Sequence, residues 1–229
     1  MTANRKQPPR AFPYYGSKAR LAKHYPEPRY DVIVEPFAGA AAYSQRYWEY
    51  KIMLCDLDPR VIACWQYLIE ATAKDILALP QVHYGLDLNT LNLAAGEHAL
   101  LEFHNFDGFA HVKGRRVGKR CIWNRYQQRL AKLVHRFSHW EAHCMSYVDI
   151  PTAKLTWFID PPYQFGGEHY ECGTEGFSFS DVATFARTRQ GQVVVCENMK
   201  ATWLPFRPLA DHKGVTNKIT VEAIWTNEP

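Results

Sequence analysis

Apolar positions along the chain fall into short runs that stop abruptly at charged, proline or small residues. Tyr30-Asp31-Val32-Ile33-Val34 closes at Glu35-Pro36, and Lys51-Ile52-Met53-Leu54-Cys55 closes at Asp56. Similar runs stand at Ala142–Met145, Leu155–Ile159, Val193–Cys196 and Ile219–Trp225. Short near-continuous apolar runs of this kind predict strands buried on both faces. Between them lie helix signals. The small-residue turn Phe37-Ala38-Gly39-Ala40-Ala41-Ala42 leads into a helix expected to run through Tyr50. Asp58-Pro59 is a cap followed by proline at the first helical position, which predicts a helix from Pro59 to about Leu79, stopped by Pro80. A third helix is expected over Ser180–Arg189, with Ser178 or Ser180 as its cap. Strands alternating with helices predict an α/β fold, a Rossmann-like sheet with helices on both faces.

Residues 80–140 break this rhythm, and here charge changes the picture. The chain of 229 residues carries a formal net charge of +4, but the charge is unevenly spread. Residues 108–140 hold nine Lys and Arg and no Asp or Glu, leaving 18 basic against 23 acidic residues elsewhere. A basic block on an otherwise acidic protein is a footprint for a polyanion. Phe109, Trp123, Tyr126 and Phe137 lie among the charges and suit nucleic acid, whose unstacked bases need flat partners. Two glycines within Val112–Ile122 predict a basic hairpin. Residues 1–79 and 141–229 are therefore read as one catalytic domain, and 80–140 as an inserted recognition element.

An apolar content of 47% excludes a disordered chain. No apolar run approaches the roughly 18 residues needed to span a bilayer. Met1–Arg10 is basic but is followed by no apolar segment, so a cytoplasmic protein without membrane contact is expected. The six cysteines contain no C-x-x-C pair, and reduced thiols are expected. His135, His139 and His143 are spaced by four and followed by Cys144, but Trp140 predicts that the helix ends before His143, so no metal is expected.

Candidate chemistry sits at three strand ends, where open α/β sheets bind ligands. Phe37–Ala41 lets backbone approach a ligand after the first strand. Asp56 ends the second strand, where a carboxylate can accept both hydroxyls of a ribose. Asp160-Pro161-Pro162-Tyr163 follows Leu155–Ile159, and its two prolines stiffen the loop. An acid, a carbonyl and an aromatic ring held together in this way can grip an exocyclic amine: Asp160 and the Pro161 carbonyl accept its hydrogens while Tyr163 stacks on the ring.

These motifs resemble those of the Dam-like D12 class of adenine-specific DNA methyltransferases, the α group of amino-methyltransferases. Asp160–Tyr163 matches the family's Asp-Pro-Pro-Tyr signature, Tyr14-Tyr15-Gly16-Ser17-Lys18 its upstream cofactor element, and Glu35-Pro36-Phe37-Ala38-Gly39-Ala40 its first-strand element. Asp56-Leu57-Asp58 is similar to the Asp-x-Asn that follows the second strand. Val195–Asn198 and Glu222–Asn227 resemble later strand motifs, and the order of elements is that of the α group.

The resemblance implies a Rossmann-like methyltransferase domain that transfers a methyl group from S-adenosyl-L-methionine to the N6 amino group of an adenine flipped out of double-stranded DNA. It places Tyr14 and Lys18 near the cofactor, the lysine toward its carboxylate. Glu35, Phe37 and Gly39 would line the methionine and adenosine pocket, Asp56 would hold the ribose, and Tyr147 would stack beside the adenine of the cofactor. Asp160, Pro161, Pro162 and Tyr163 are the catalytic candidates. Lys113, Arg115, Arg116, Lys119, Arg120 and Arg125 are the DNA-contact candidates. Cytosine N4 methylation, an RNA substrate and a silent DNA-binding relative are the alternatives.

The chain departs from the family pattern at two places. Ser146 stands where an acid is usual before the aromatic. Ala41-Ala42 replaces Gly-Ser, which is harmless at negative φ and strained at positive φ.

Overall fold

The structure, a computed structural model, describes residues 10–105, 116–119, 121–165, 177–213 and 219–227. Seven strands form one sheet: β1 (Val32–Glu35), β2 (Lys51–Asp56), β3 (Glu141–Cys144), β4 (Leu155–Ile159), β5 (Gly191–Asn198), β6 (Arg207–Lys213) and β7 (Ile219–Thr226). Their order is β3-β2-β1-β4-β5-β7-β6. The β3, β2, β1, β4 and β5 neighbours pair in parallel, while β7 is antiparallel to both β5 and β6. This is the expected α/β Rossmann-like sheet. Strand order reverses direction between β1 and β4, which opens a crevice beyond their C-terminal ends.

The helices are α1 (Ala42–Arg46), α2 (Pro59–Glu70), α3 (Ala73–Ala78), α4 (Ala95–His104), α5 (Trp123–Ala131) and α6 (Phe179–Thr188). Alternation along the strands sorts side chains into two cores. Ile33, Leu54, Phe158, Val194 and Cys196 join one cluster with Val61, Trp65 and Leu68 of α2, Ile76 of α3, Leu100 of α4 and Leu130 of α5. Their neighbours Val34, Cys55, Trp157, Ile159, Val193 and Val195 join a second with Val182, Phe185 and Ala186 of α6. Both faces are thus buried, which explains why these strands read as unbroken apolar runs. The described parts of 80–140 share the first core: Val82, Leu88, Val117, Trp123 and Phe137 pack into it.

Three elements differ from expectation. The helix starting at Pro59 ends at Glu70, Ala71 is extended, and α3 restarts behind a capping box. Asp75 N–H donates to Thr72 Oγ1 at 3.3 Å, and Thr72 N–H donates to Asp75 Oδ2 at 2.8 Å, so a local cap interrupts a propensity that would have continued. α1 stops at Arg46 instead of reaching Tyr50. Strand β6 carries Arg207, Pro208 and Asp211 and has no apolar run; as an edge strand with an irregularity between Pro208 and Ala210 it needs none.

Candidate active site

The crevice at the β1/β4 switch point holds a cavity of about 240 Å³. Its wall begins with the turn after β1. Ala38 N–H donates to the Cys55 carbonyl at 2.9 Å, Gly39 N–H to Asp56 Oδ2 at 2.9 Å, and Trp65 Nε1–H to the Gly39 carbonyl at 2.8 Å. Gln45 closes the far side, donating to the Ala40 carbonyl at 2.6 Å and accepting from Ala11 N–H at 2.9 Å. The turn is therefore tied to β2, α2 and the N-terminal segment. Gly39 has φ 44°, and a Cβ there would lie 2.9 Å from the Tyr14 ring. Only glycine lets Tyr14 close over the turn. Ala41 has φ 45° and ψ 48°, the left-handed conformation in which an alanine is strained.

Tyr14, Lys18, Glu35, Phe37, Gly39, Asp56 and Tyr147, the residues that the resemblance places at the cofactor, all line this one cavity, and so does Asp160, which the resemblance also puts near the cofactor. Phe37 and Tyr147 lie 5.2 Å apart between ring centroids, and Phe177 meets Phe37 edge-on at 6.0 Å. These rings make an apolar slot beside Asp56. Phe177 has no counterpart in the sequence reading; its only sequence signal is its place next to the Ser178 cap of α6.

Asp160 follows β4 and faces the cavity together with Pro162. Pro161 is buried, and Tyr163 lies beside the cavity lining. Lys18 does not reach outward alone. Its Nζ lies 2.8 Å from Asp160 Oδ1, donates to the Gly16 carbonyl at 2.9 Å and stands 4.5 Å from the centre of the Tyr163 ring. The lysine expected beside the cofactor carboxylate is thus also the counter-ion of the acid in the Asp-Pro-Pro-Tyr loop.

The other charged groups on the wall are acids, Glu35 and Asp58 buried and Asp56 and Asp160 partly exposed. Burial pushes the Asp160 carboxyl up to about 6, with Lys18 opposing. Burial likewise lifts Asp56 to about 6 against two backbone donors, Asp58 N–H and Gly39 N–H. Glu35 rises to about 8 through burial, although Ser44 N–H donates to it at 2.8 Å. Near neutral pH this leaves Asp56 and Asp160 charged and Glu35 mostly protonated. Asp58, also on the wall, is paired with Arg60 at 2.8 Å, so the apolar slot beside Asp56 fits a ligand that carries a flat ring and hydroxyls.

Of the DNA-contact candidates, Arg116, Lys119 and Arg125 are exposed, and Lys113, Arg115 and Arg120 lie outside the described residues, with most of the expected hairpin. Lys119 Nζ sits 5.5 Å from the centre of the exposed Tyr84 ring. Arg125 projects from α5. His135 falls in a 3-10 turn and His143 on β3, so the three spaced histidines share no helix. His139 Nε2 is 3.0 Å from the Tyr50 carbonyl. Among the described residues, no group of three or more His, Cys, Asp or Glu could hold a metal, and no helix is long and apolar enough to cross a membrane. Cys55, Cys64, Cys121, Cys144 and Cys196 are free thiols.

A search of curated proteins finds no match. Among solved structures, the chain is similar to a candidate methyltransferase, yhhF of Escherichia coli, at 9% identity and TM-score 0.35, covering 84% of this chain and 73% of that one. A conserved hypothetical protein of Streptococcus pyogenes aligns at 12% identity and TM-score 0.38, covering 86% of each chain. A candidate methylase of Haemophilus influenzae, HI0767, aligns at 13% identity and TM-score 0.33, covering 86% and 78%. The family comparison is more specific and supports methyl transfer as the chemistry of the site: residues 14–92, which carry the Tyr14–Lys18 segment, the turn after β1 and Asp56, match the model of the D12 class N6 adenine-specific DNA methyltransferases.

Proposed function

We propose that the chain transfers a methyl group from S-adenosyl-L-methionine to the N6 amino group of an adenine in double-stranded DNA. The observation that carries this reading is the shared cavity. Asp160, from the Asp-Pro-Pro-Tyr loop, faces the same space as the Gly39 turn and Asp56, at the switch point of the sheet. The donor set suits the methyl donor. Asp56 would accept from the ribose hydroxyls, and Phe37, Tyr147 and Phe177 would enclose the adenine ring.

The bound cofactor supplies an electrophilic methyl group on its sulfonium. The protein prepares the nucleophile. An adenine amine inside a duplex is out of reach, so the base turns out into the pocket at a cost of a few kcal/mol. Its N6 lone pair is delocalised into the ring. Asp160 and the Pro161 carbonyl would accept the two N6 hydrogens and draw the nitrogen toward a tetrahedral geometry with its lone pair free. Tyr163 would stack on the ring and fix its plane. N6 would take the methyl group that the sulfonium supplies, leaving the neutral thioether, and Asp160 or water would accept the proton that the methylated nitrogen gives up. Most of the acceleration would come from holding the two reactants in line, so neither a metal nor a covalent enzyme intermediate is required.

The basic residues of the 80–140 element, Lys113, Arg115, Arg116, Lys119, Arg120 and Arg125, are assigned to DNA phosphates and base edges. The test is incubation with unmethylated duplex DNA and labelled S-adenosyl-L-methionine, digestion to nucleosides and mass spectrometry, with Asp160→Ala in parallel. Label in N6-methyldeoxyadenosine that depends on Asp160 is the expected result. Label on deoxycytidine would move the chemistry to cytosine N4. Cofactor binding with no label in DNA would redirect the search to RNA, and absence of cofactor binding would leave a silent DNA-binding protein.

A further inference from the structure

Strand β7 is largely apolar, yet it carries Glu222 with 1% of its surface exposed. A carboxylate in the middle of a sheet is costly unless strong donors meet it. Here two phenols meet one oxygen. Tyr25 donates its hydroxyl hydrogen to Glu222 Oε1 at 2.7 Å, and Tyr163 donates to the same atom at 2.6 Å. The two tyrosines differ in freedom. Tyr25 is buried, set edge-on against Phe158 at 4.9 Å and Tyr43 at 6.4 Å, and those two rings stack on each other at 4.2 Å with a 4° tilt. Tyr163 is on the loop after β4 and partly exposed.

The loop backbone is held separately. Gln164 N–H donates to Glu197 Oε2 at 2.8 Å, and Glu197 also accepts from Trp203 Nε1–H at 3.2 Å. That clamp sets where the chain runs; the Tyr163 ring itself packs against the core and has Lys18 Nζ 4.5 Å from its centre, but neither contact holds its hydroxyl end. The hydroxyl bond to Glu222 fixes that end of the ring. Burial and the Glu222 charge push the Tyr163 phenol well above its ordinary range, so it stays a donor at any working pH.

We propose that Glu222 is a positioning residue for base capture: it ties the Tyr163 hydroxyl to the Tyr25-anchored core and so presets the ring that receives the target adenine. This rests on the function proposed above. Neither tyrosine nor Glu222 lines the cavity, and Tyr163 meets its wall through the ring face under Lys18 Nζ and not through the hydroxyl that Glu222 holds, so loss of the hydroxyl bond should act on the DNA substrate and not on the methyl donor.

The test compares full-length Glu222→Leu, Glu222→Gln, Tyr163→Phe and the Tyr163→Phe/Glu222→Leu double variant. The readouts are kcat and KM for unmethylated duplex DNA, with the S-adenosyl-L-methionine Kd by calorimetry. Glu222→Leu and Tyr163→Phe should each lower kcat/KM for DNA by about tenfold, the scale of one hydrogen bond to a charged group. Their cofactor Kd should equal that of the wild type. Glu222→Gln keeps an acceptor oxygen and should stay within about threefold of wild type. The double variant should be no worse than either single one, because both remove the same contact.

Losses that multiply in the double variant, or a cofactor Kd that weakens in step with activity, would overturn the proposal. So would wild-type activity in Tyr163→Phe, which tests the contact even if Glu222→Leu fails to fold. A wild-type protein that binds the cofactor but methylates no adenine would refute the function and the positioning role together. An active wild type with fully active variants would refute the positioning role alone.

Discussion

Replacing Lys18 by methionine removes the cation that opposes burial of Asp160 while keeping a side chain of similar length. The lysine nitrogen stands 2.8 Å from Asp160 Oδ1, and the pair sits in a site where the acid already titrates at about 6 because it is buried. An opposite charge at this range lowers a carboxyl by roughly one to three pH units. Its loss should therefore carry Asp160 to roughly 7–9, or ~1.4–4 kcal/mol against the charged form. If the charged form is the one that accepts from N6, the wild-type rate falls as pH drops through about 6. In Lys18→Met the fall begins at least one unit higher. At pH 7.5 a midpoint of about 8 leaves only about a quarter of the acid ionised, so the rate drops about fourfold and recovers by about pH 9.5. The assay is single-turnover methyl transfer across that range, with cofactor and DNA saturating so that binding losses do not enter. Stability carries the same sign: a carboxyl whose folded pKa is raised loses its stabilising proton as pH rises, so the variant should melt progressively earlier than wild type between pH 6 and 9. An acid limb that stays in place, or a loss of rate equal at every pH, would refute the role of Lys18 as keeper of the Asp160 charge.

Two further outcomes follow from the buried turn and its acid. Ala41 is the one non-glycine residue at positive φ among the described residues, so Ala41→Gly should relieve ~1–2 kcal/mol of strain. Most of that gain is offset by the flexibility of glycine in the unfolded chain and the lost methyl contact, leaving the melting temperature unchanged or a few degrees higher. Ala40→Gly, without such strain to relieve, should lose ~1 kcal/mol; equal losses in the two variants would contradict the strain. Glu35→Gln keeps the acceptor for Ser44 N–H and removes a carboxyl lifted from 4.5 to about 8. The wild-type acid is destabilising in proportion as pH rises through that window, so the variant should gain a few kcal/mol at pH 8.5 and almost nothing below pH 4.5. Denaturant unfolding at both pH values checks this, and a gain independent of pH would contradict it.

Much of the site was legible because it is made of contiguous residues at strand ends. Asp56 closes β2, the Phe37–Ala41 turn closes β1 and Asp160 follows β4, and the Rossmann-like sheet brings those ends together. Apolar runs located most strands because both faces are covered. They missed β6, whose edge position lets Arg207, Pro208 and Asp211 stand in a strand. They also ran α2 through the Thr72 cap, although the Thr72-x-x-Asp75 spacing was there to be read. The sign of φ at Ala41 was not available from residue types, because it depends on how Trp65, Gln45 and Asp56 hold the turn.

What stayed hidden has a common physical character: charges whose partners are distant in the chain. Lys18 pairs with Asp160, and Glu222 gathers Tyr25 and Tyr163 from 197 and 59 residues away. A local pattern cannot rank such partners, but it does flag their members. A lone acid inside Ile219–Trp225 contradicts the strand around it, and a buried charge persists only where something meets it. The N-terminal segment that supplies Tyr14, Lys18 and Tyr25 therefore does more than precede the sheet. It brings the cation to the Asp160 loop, closes Tyr14 over the Gly39 turn, and through Tyr25 shares the Glu222 oxygen that holds the Tyr163 hydroxyl. Loss of residues 10–25 would take from the Asp160–Tyr163 loop its cation and the Tyr25 bond to Glu222, while β4 and the Gln164–Glu197 bond would still set where its backbone runs.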